Sequence, residues 1–206
     1  MTYATSCVGA LAVACLFVCG AQSAAADDAP AAAQKLLQPG PEQTALAAET
    51  GLWNVTSTLR LAPDAEPVVS GGLIAERVMV GPYQQEIMRP APGSPAPDFR
   101  RIAYLHYFRV EGCWQYVSMD TRFPVGVMPA KGCEPVRDGV LVLRFDSLPF
   151  VGLGAEVEGR TIDSDLEISH DGPNHEFIRQ YWTRADGTGR RWLAVVYEYR
   201  RRPIAR

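Results

Sequence analysis

FRRIAYLHYFRVEGCWQYVSMDT, residues 99–121, decides the fold. From Phe99 to Arg109 the side chains alternate, with Ile102, Tyr104, His106 and Phe108 on one face. Glu111-Gly112 is a turn signal. Cys113 to Thr121 then alternates again, with Trp114, Tyr116 and Ser118 against Gln115, Val117 and Met119. Period-two alternation in β-branched and aromatic residues, broken by a glycine turn, predicts an antiparallel pair of strands.

The same texture extends in both directions from this hairpin. Trp53 to Leu61 predicts a strand, Ala62 to Glu66 a turn, and Val68 to Val80 one long bent strand or two, with Gly71-Gly72 as the bulge or the break. Tyr83 to Met88 is a short strand. Arg89 to Asp98 holds Pro90, Pro92, Pro95 and Pro97 and predicts a loop, as does Arg122 to Gly132. Val140 to Phe145, a stretch within Ala155 to Ser169, Glu176 to Arg184 and Arg191 to Arg201 complete the strands. After residue 48 no long amphipathic helix is predicted, and no internal repeat is visible. About eight to ten antiparallel strands point to an all-β barrel, whose closure removes exposed edges.

The N-terminus has a different character. The first 26 residues contain no Lys, Arg, Asp or Glu. An apolar run from Val8 to Gly20 leads to Ala24-Ala25-Ala26 and then Asp27-Asp28. That order predicts a cleaved secretory signal peptide, and so a periplasmic or secreted protein. The run is too short for a comfortable membrane span. Residues 27–48 read as an Ala/Pro-rich tether with a short helix at Ala31 to Leu37 and another at Glu42 to Ala48 entered through Pro41. Residues 49–206 form the barrel domain.

Of five cysteines, Cys113 and Cys133 lie outside the leader. An even count in an exported chain reads as one disulfide, the alternative being two free thiols. A reversal near Phe123 would face the two across a hairpin. Across the whole chain, 206 residues with a formal charge of −3 argue against a general nucleic-acid binder. Charge is segregated. Residues 179–206 hold eight arginines against Asp186 and Glu198. That basic edge either touches an acidic partner or lies beside the acidic stretch Glu156 to Glu167.

Gly51-Leu52-Trp53 opening the first strand is the G-x-W placement of lipocalin-like (calycin) barrels. With WQYVSMDTRFPVGVM in the middle and VVYEYRRR at the close, the layout over about residues 46–202 resembles a bacterial family catalogued as domain of unknown function 1579. Two features depart from that family: residues 105–112 lack its Gly-Tyr-Asp turn, and the proline-rich loop looks like an insertion. The resemblance implies a calycin-like barrel and no activity. It also implies that an arginine near the last strand packs on Trp53; Arg200, Arg201 and Arg202 are the candidates, and Arg200 is taken here.

Aromatic side chains on the interior faces of several strands suggest an apolar pocket inside the barrel with a few polar groups, the usual form of a small-molecule site; the alternative is a barrel packed with side chains that holds no ligand. The ligand-binding candidates are Tyr83, Tyr104, His106, Trp114, Tyr116, Asp120, Arg122 and Tyr181. Asp120 and Arg122 serve equally as an ion pair pinning the hairpin. His170 and His175 flank a turn and would face each other with Glu176 or Asp165, yet no dedicated metal spacing supports a metal site. No G-x-S-x-G elbow, Walker loop or dinucleotide fingerprint is present. The sequence therefore predicts a monomeric, exported barrel binding a small hydrophobic or amphipathic ligand, with no cofactor and no catalytic residues. The competing reading is an envelope interaction module that uses the arginine-rich edge.

Overall fold

The computed structural model describes residues 33–150 and 159–203. The predicted signal peptide, the first residues of the tether and the start of the Ala155–Ser169 stretch lie outside them. Residues 33–36 form one helical turn. Helix α1 spans Pro41–Ala48, with Pro41 in its first turn and the Gln43 side chain accepting from the Gly40 N–H at 2.8 Å.

Eleven strands follow: β1 Gly51–Leu59, β2 Val68–Val80, β3 Tyr83–Pro90, β4 Arg101–Phe108, β5 Cys113–Asp120, β6 Phe123–Gly132, β7 Val140–Phe145, β8 Leu148–Phe150, β9 Arg160–His170, β10 His175–Arg184 and β11 Trp192–Arg201. Each pairs antiparallel with its neighbour, and β9 pairs with β10 to close the sheet. Ten strands make the barrel. The three-residue β8 shares one flank of β9 with β7 and adds no position of its own. This is the all-β barrel the alternation predicts.

One open alternative is settled and one expectation is overturned. Val68 to Val80 is a single bent strand with its bulge at Gly71-Gly72, the first of the two alternatives: Val55 pairs with Leu73 and Ser57 with Ser70. Arg122 to Gly132, expected as a loop on account of its prolines and glycines, is mostly strand β6. Proline is tolerated there because β6 is fully laddered on one side only. It pairs with β5 at five consecutive positions from Trp114↔Gly132 to Ser118↔Met128, but with β7 only at Ala130↔Phe145 and Lys131↔Arg144. Gly132 is required where β6 passes β7. A Cβ there would run into the Val142 carbonyl.

Cys113 and Cys133 are disulfide-bonded, with Cα atoms 4.2 Å apart, one step beyond the Trp114↔Gly132 pair. The hairpin turns at Thr121-Arg122, and the shift between Ser118 and Asp120 absorbs the extra residues of β6.

Inward side chains form the core, with Trp53, Leu73, Met88, Leu143, Ile162, Leu166 and Tyr199 almost completely buried. α1 lies against this barrel, and barrel side chains satisfy the carbonyls its C-terminus leaves free. Gln84 Nε2 donates to Leu46 O (2.8 Å), Trp53 Nε1 to Glu49 O (3.1 Å), and Arg201 to Ala48 O and Thr50 O (2.8 and 2.7 Å). Among the described residues no helix is long and apolar enough to cross a membrane.

Candidate functional site

The barrel interior holds a set of charges. Arg77 on β2 donates from Nε to Glu86 Oε2 on β3 at 2.8 Å, and from both terminal nitrogens to the Glu176 carboxylate on β10 at 2.6 and 2.8 Å. Arg101 on β4 donates to Glu86 Oε1 at 3.0 Å and to the Tyr116 hydroxyl on β5. The Tyr199 hydroxyl on β11 donates to Glu86 Oε1 at 3.0 Å. At the solvent end, His170 Nε2 lies 3.0 Å from both Glu49 Oε1 and Glu176 Oε2.

These hydrogen bonds to Glu176 and Glu49 hold the His170 imidazole protonated, its pKa pushed up to about 10. Burial alone would raise the Glu176 pKa. The Arg77 charge and its hydrogen bonds, with His170 behind them, outweigh burial and hold it at about 2. Three cations (Arg77, Arg101, His170) thus face three carboxylates (Glu49, Glu86, Glu176), which is the condition for burying charge at tolerable cost. Only about 30 Å³ of space remains beside them, room for a water and not for an organic ligand. Glu49, His170 and Glu176 bring three metal-type donor atoms within 4.8 Å of one another. Their oxygens are already engaged by the imidazole and by Arg77, so organic cations fill the role a metal would take.

A larger space lies elsewhere. A groove of about 620 Å³ is lined by Tyr83, Tyr104, His106, Gln115, Val117 and Lys131, with Tyr116, Pro129, Ala130 and Asp146. On β4, Arg101 and Ala103 are buried while Ile102, Tyr104 and His106 alternate with them. The aromatic run of β4 therefore faces out, against the expectation of an aromatic interior, because paired charges fill the inside, and the groove crosses the outer surface of β3 to β6. Its walls are ordered by ring contacts. Tyr83 lies 4.5 Å from His106, and Gln85 donates to the Tyr104 hydroxyl. His106 Nδ1 is shielded from solvent and, among the described residues, has no hydrogen-bond partner. A buried imidazole nitrogen without a partner is uncommon and leaves one specific polar contact open in a mostly apolar wall.

Of the residues predicted to bind a ligand, Tyr83, Tyr104, His106 and Tyr116 meet at this groove. Tyr116 is buried and also reaches inward to Arg101. The others lie apart. Trp114 packs against Tyr107, ring centroids 5.2 Å apart. Asp120 is buried and bound by Arg122 through Nε and Nη2 at 3.0 and 2.6 Å, with the guanidinium 3.7 Å over the Phe99 ring. This is the ion pair that pins the β5–β6 turn. Tyr181 lies under Arg191 at 3.8 Å.

Trp53 does receive an arginine, but it is Arg201, 4.4 Å from the ring, with Gly51 beside it at the start of β1. Arg200 points the other way and pairs with Glu198 at 2.5 Å, because alternation along β11 puts Tyr197, Tyr199 and Arg201 on the inner side. His170 and His175 do not share a site: His175 pairs with Glu198 at 2.9 Å and Asp171 at 3.4 Å. Asp165 faces Arg144 and Arg191. The sequence reading did not single out Arg77, Glu86 or Arg101. Their one signal is a charge sharing strand parity with Ala75, Met88 and Ala103, which marks a face but not whether that face is inside.

Among the described residues, several arginines of the basic edge are matched within the barrel. Arg191 faces Asp165 and Glu167, Arg190 faces Asp64, and Arg179 donates to Ser169 Oγ at 2.8 Å.

Fold and site together define a closed antiparallel barrel with a charged, filled interior and an external aromatic groove. No protein-family model and no curated protein matches the chain. Among solved structures it is similar to Rv2717c from M. tuberculosis, at 15% identity and a TM-score of 0.52, over 81% of this chain and 100% of that one. At that identity the likeness speaks for the barrel fold alone.

Proposed function

We propose that this chain is an exported barrel that binds a small amphipathic ligand in the groove on its outer face and performs no catalysis there. The observation that carries this reading is the buried, unpartnered His106 Nδ1 in an aromatic groove of about 620 Å³, within the size range of small-molecule sites. Tyr83, Tyr104 and Val117 supply apolar area, Gln115 supplies hydrogen-bonding groups, and Lys131 and Asp146 supply charge at the margin. Export rests on the leader-like composition of residues 1–26. Membership of the domain of unknown function 1579 family rests on the Gly51-Leu52-Trp53 start and the closing aromatic-arginine strand. The interaction-module reading has less support, because several arginines of that edge already face carboxylates of the same barrel.

The test is titration with anilinonaphthalene sulfonate, followed by its fluorescence. The probe should bind saturably, and Tyr104→Ala and His106→Leu should each weaken it several-fold while the melting temperature stays near wild type. Equal binding by wild type and both folded variants, or no saturable binding, overturns the reading.

A further inference from the structure

We propose a second site, at the end of the barrel beside α1, that binds an organic ammonium group: a quaternary ammonium or a protonated alkylamine. Tyr107 on β4 and Trp114 on β5 are register partners. Their rings are 5.2 Å apart and inclined at 59°, so they present two walls of a corner. Against them lies a cavity of about 310 Å³, also bounded by Glu42, Glu134, Pro135 and Val136 next to the Cys113–Cys133 bridge. Glu42 brings a carboxylate from the first turn of α1, and its Oε2 is buried with no hydrogen-bond partner among the described residues. The positive end of a helix favours an acid at that position, but it supplies no donor to that oxygen. Glu134 is exposed and, among the described residues, pairs with Arg137 alone, at 3.9 Å.

A carboxylate oxygen only accepts, so what completes it is a donor or a cation. Aromatic faces carry negative potential and attract cations, most strongly when water is excluded. Anions are disfavoured by two carboxylates on the rim. A hard metal ion needs six or more oxygens, and two of the walls here are rings. Arg109 approaches this corner from the side of Gly40 and donates to the Gln38 carbonyl at 3.0 Å. Glu42 Oε2 lies on that Gly40 side, so the ammonium is placed against the face of Glu42 that walls the cavity.

The probes are choline and its neutral carbon isostere, dimethylbutanol, titrated at fixed ionic strength into the full chain. Affinity comes from calorimetry, and location from the indole N–H signals of the four tryptophans in NMR. Choline should bind, shift the Trp114 indole signal ahead of the other three, and bind at least severalfold more tightly than the isostere. Trp114→Leu keeps an apolar wall and removes the ring, so it should weaken choline about tenfold. Glu42→Gln, at a partly exposed helix position, should weaken it by a similar factor and serves even if Trp114→Leu unfolds. Equal binding of choline and isostere overturns the proposal. So does choline binding that leaves Trp114 unmoved, or that is unchanged in folded Glu42→Gln. The groove reading stands or falls separately, since none of these residues lines the groove.

Discussion

Arg77 and Glu176 are 99 positions apart in sequence and meet through two hydrogen bonds inside the barrel, at 2.6 and 2.8 Å. β2 and β10 are not neighbours in the sheet, so this pair spans the interior. With Glu86 and Arg101 it fills the space that a hollow barrel would offer to a ligand.

Replacing Arg77 with Met leaves Glu176 and Glu86 buried without their main cation. Breaking a buried pair in this way costs about 3–5 kcal/mol. Lysine should not rescue it, because a single ammonium cannot serve two carboxylates in the forked geometry of a guanidinium. Urea unfolding of Arg77→Met and Arg77→Lys checks both statements. A loss below about 1 kcal/mol would mean the network contributes little.

His170 gives a pH dependence with a defined sign. Its folded-state pKa, about 10, lies above its ordinary 6.5. Its contribution to stability is therefore fully present below about 6.5, declines as pH rises, and is gone above about 10. Glu176 acts at the opposite end. Held at about 2 against an ordinary 4.5, it stabilises above 4.5 and loses that contribution as pH falls through about 2. Thermal melts between neutral and alkaline pH should show a declining melting temperature that His170→Asn flattens. A slope identical in wild type and variant would assign the decline to other groups.

The Cys113–Cys133 bond closes a loop of sequence separation 20. Constraining the unfolded chain over such a loop stabilises by about 3 kcal/mol. The Cys113→Ser/Cys133→Ser double variant should lose an amount of that order in denaturant unfolding, and adding reductant should bring wild type to the same midpoint. Wild type unaffected by reductant after full thiol release is the contrary result.

Arg201→Ala and Arg200→Ala separate two neighbours on opposite faces of β11. Arg201 stacks on Trp53 and donates to two carbonyls next to α1, so its removal should cost about 1–3 kcal/mol. Arg200 makes an exposed pair with Glu198 and should cost less than about 1 kcal/mol. Melting temperatures of the two variants compare them directly.

The sequence by itself determined the class of fold, since period-two alternation and turn residues are local signals. It carried Tyr104, His106 and Phe108 to one face of β4, Trp53 to the opening strand, and Cys113 opposite Cys133. It read β6 as a loop, because Pro129 and Gly132 weaken a strand locally while the β5 ladder that holds them lies elsewhere in the chain. Only the tertiary structure decided which face is inside. Alternation is symmetric: it says that Tyr104 and His106 oppose Arg101 and Ala103, and not which pair meets the core. Closure turned Arg101, Arg77 and Glu86 inward, where Glu176 and Tyr199 arrive from the far end of the chain, and turned the aromatic run of β4 outward. The filled interior and the external groove are both consequences of that one choice of face, fixed by contacts between strands distant in sequence.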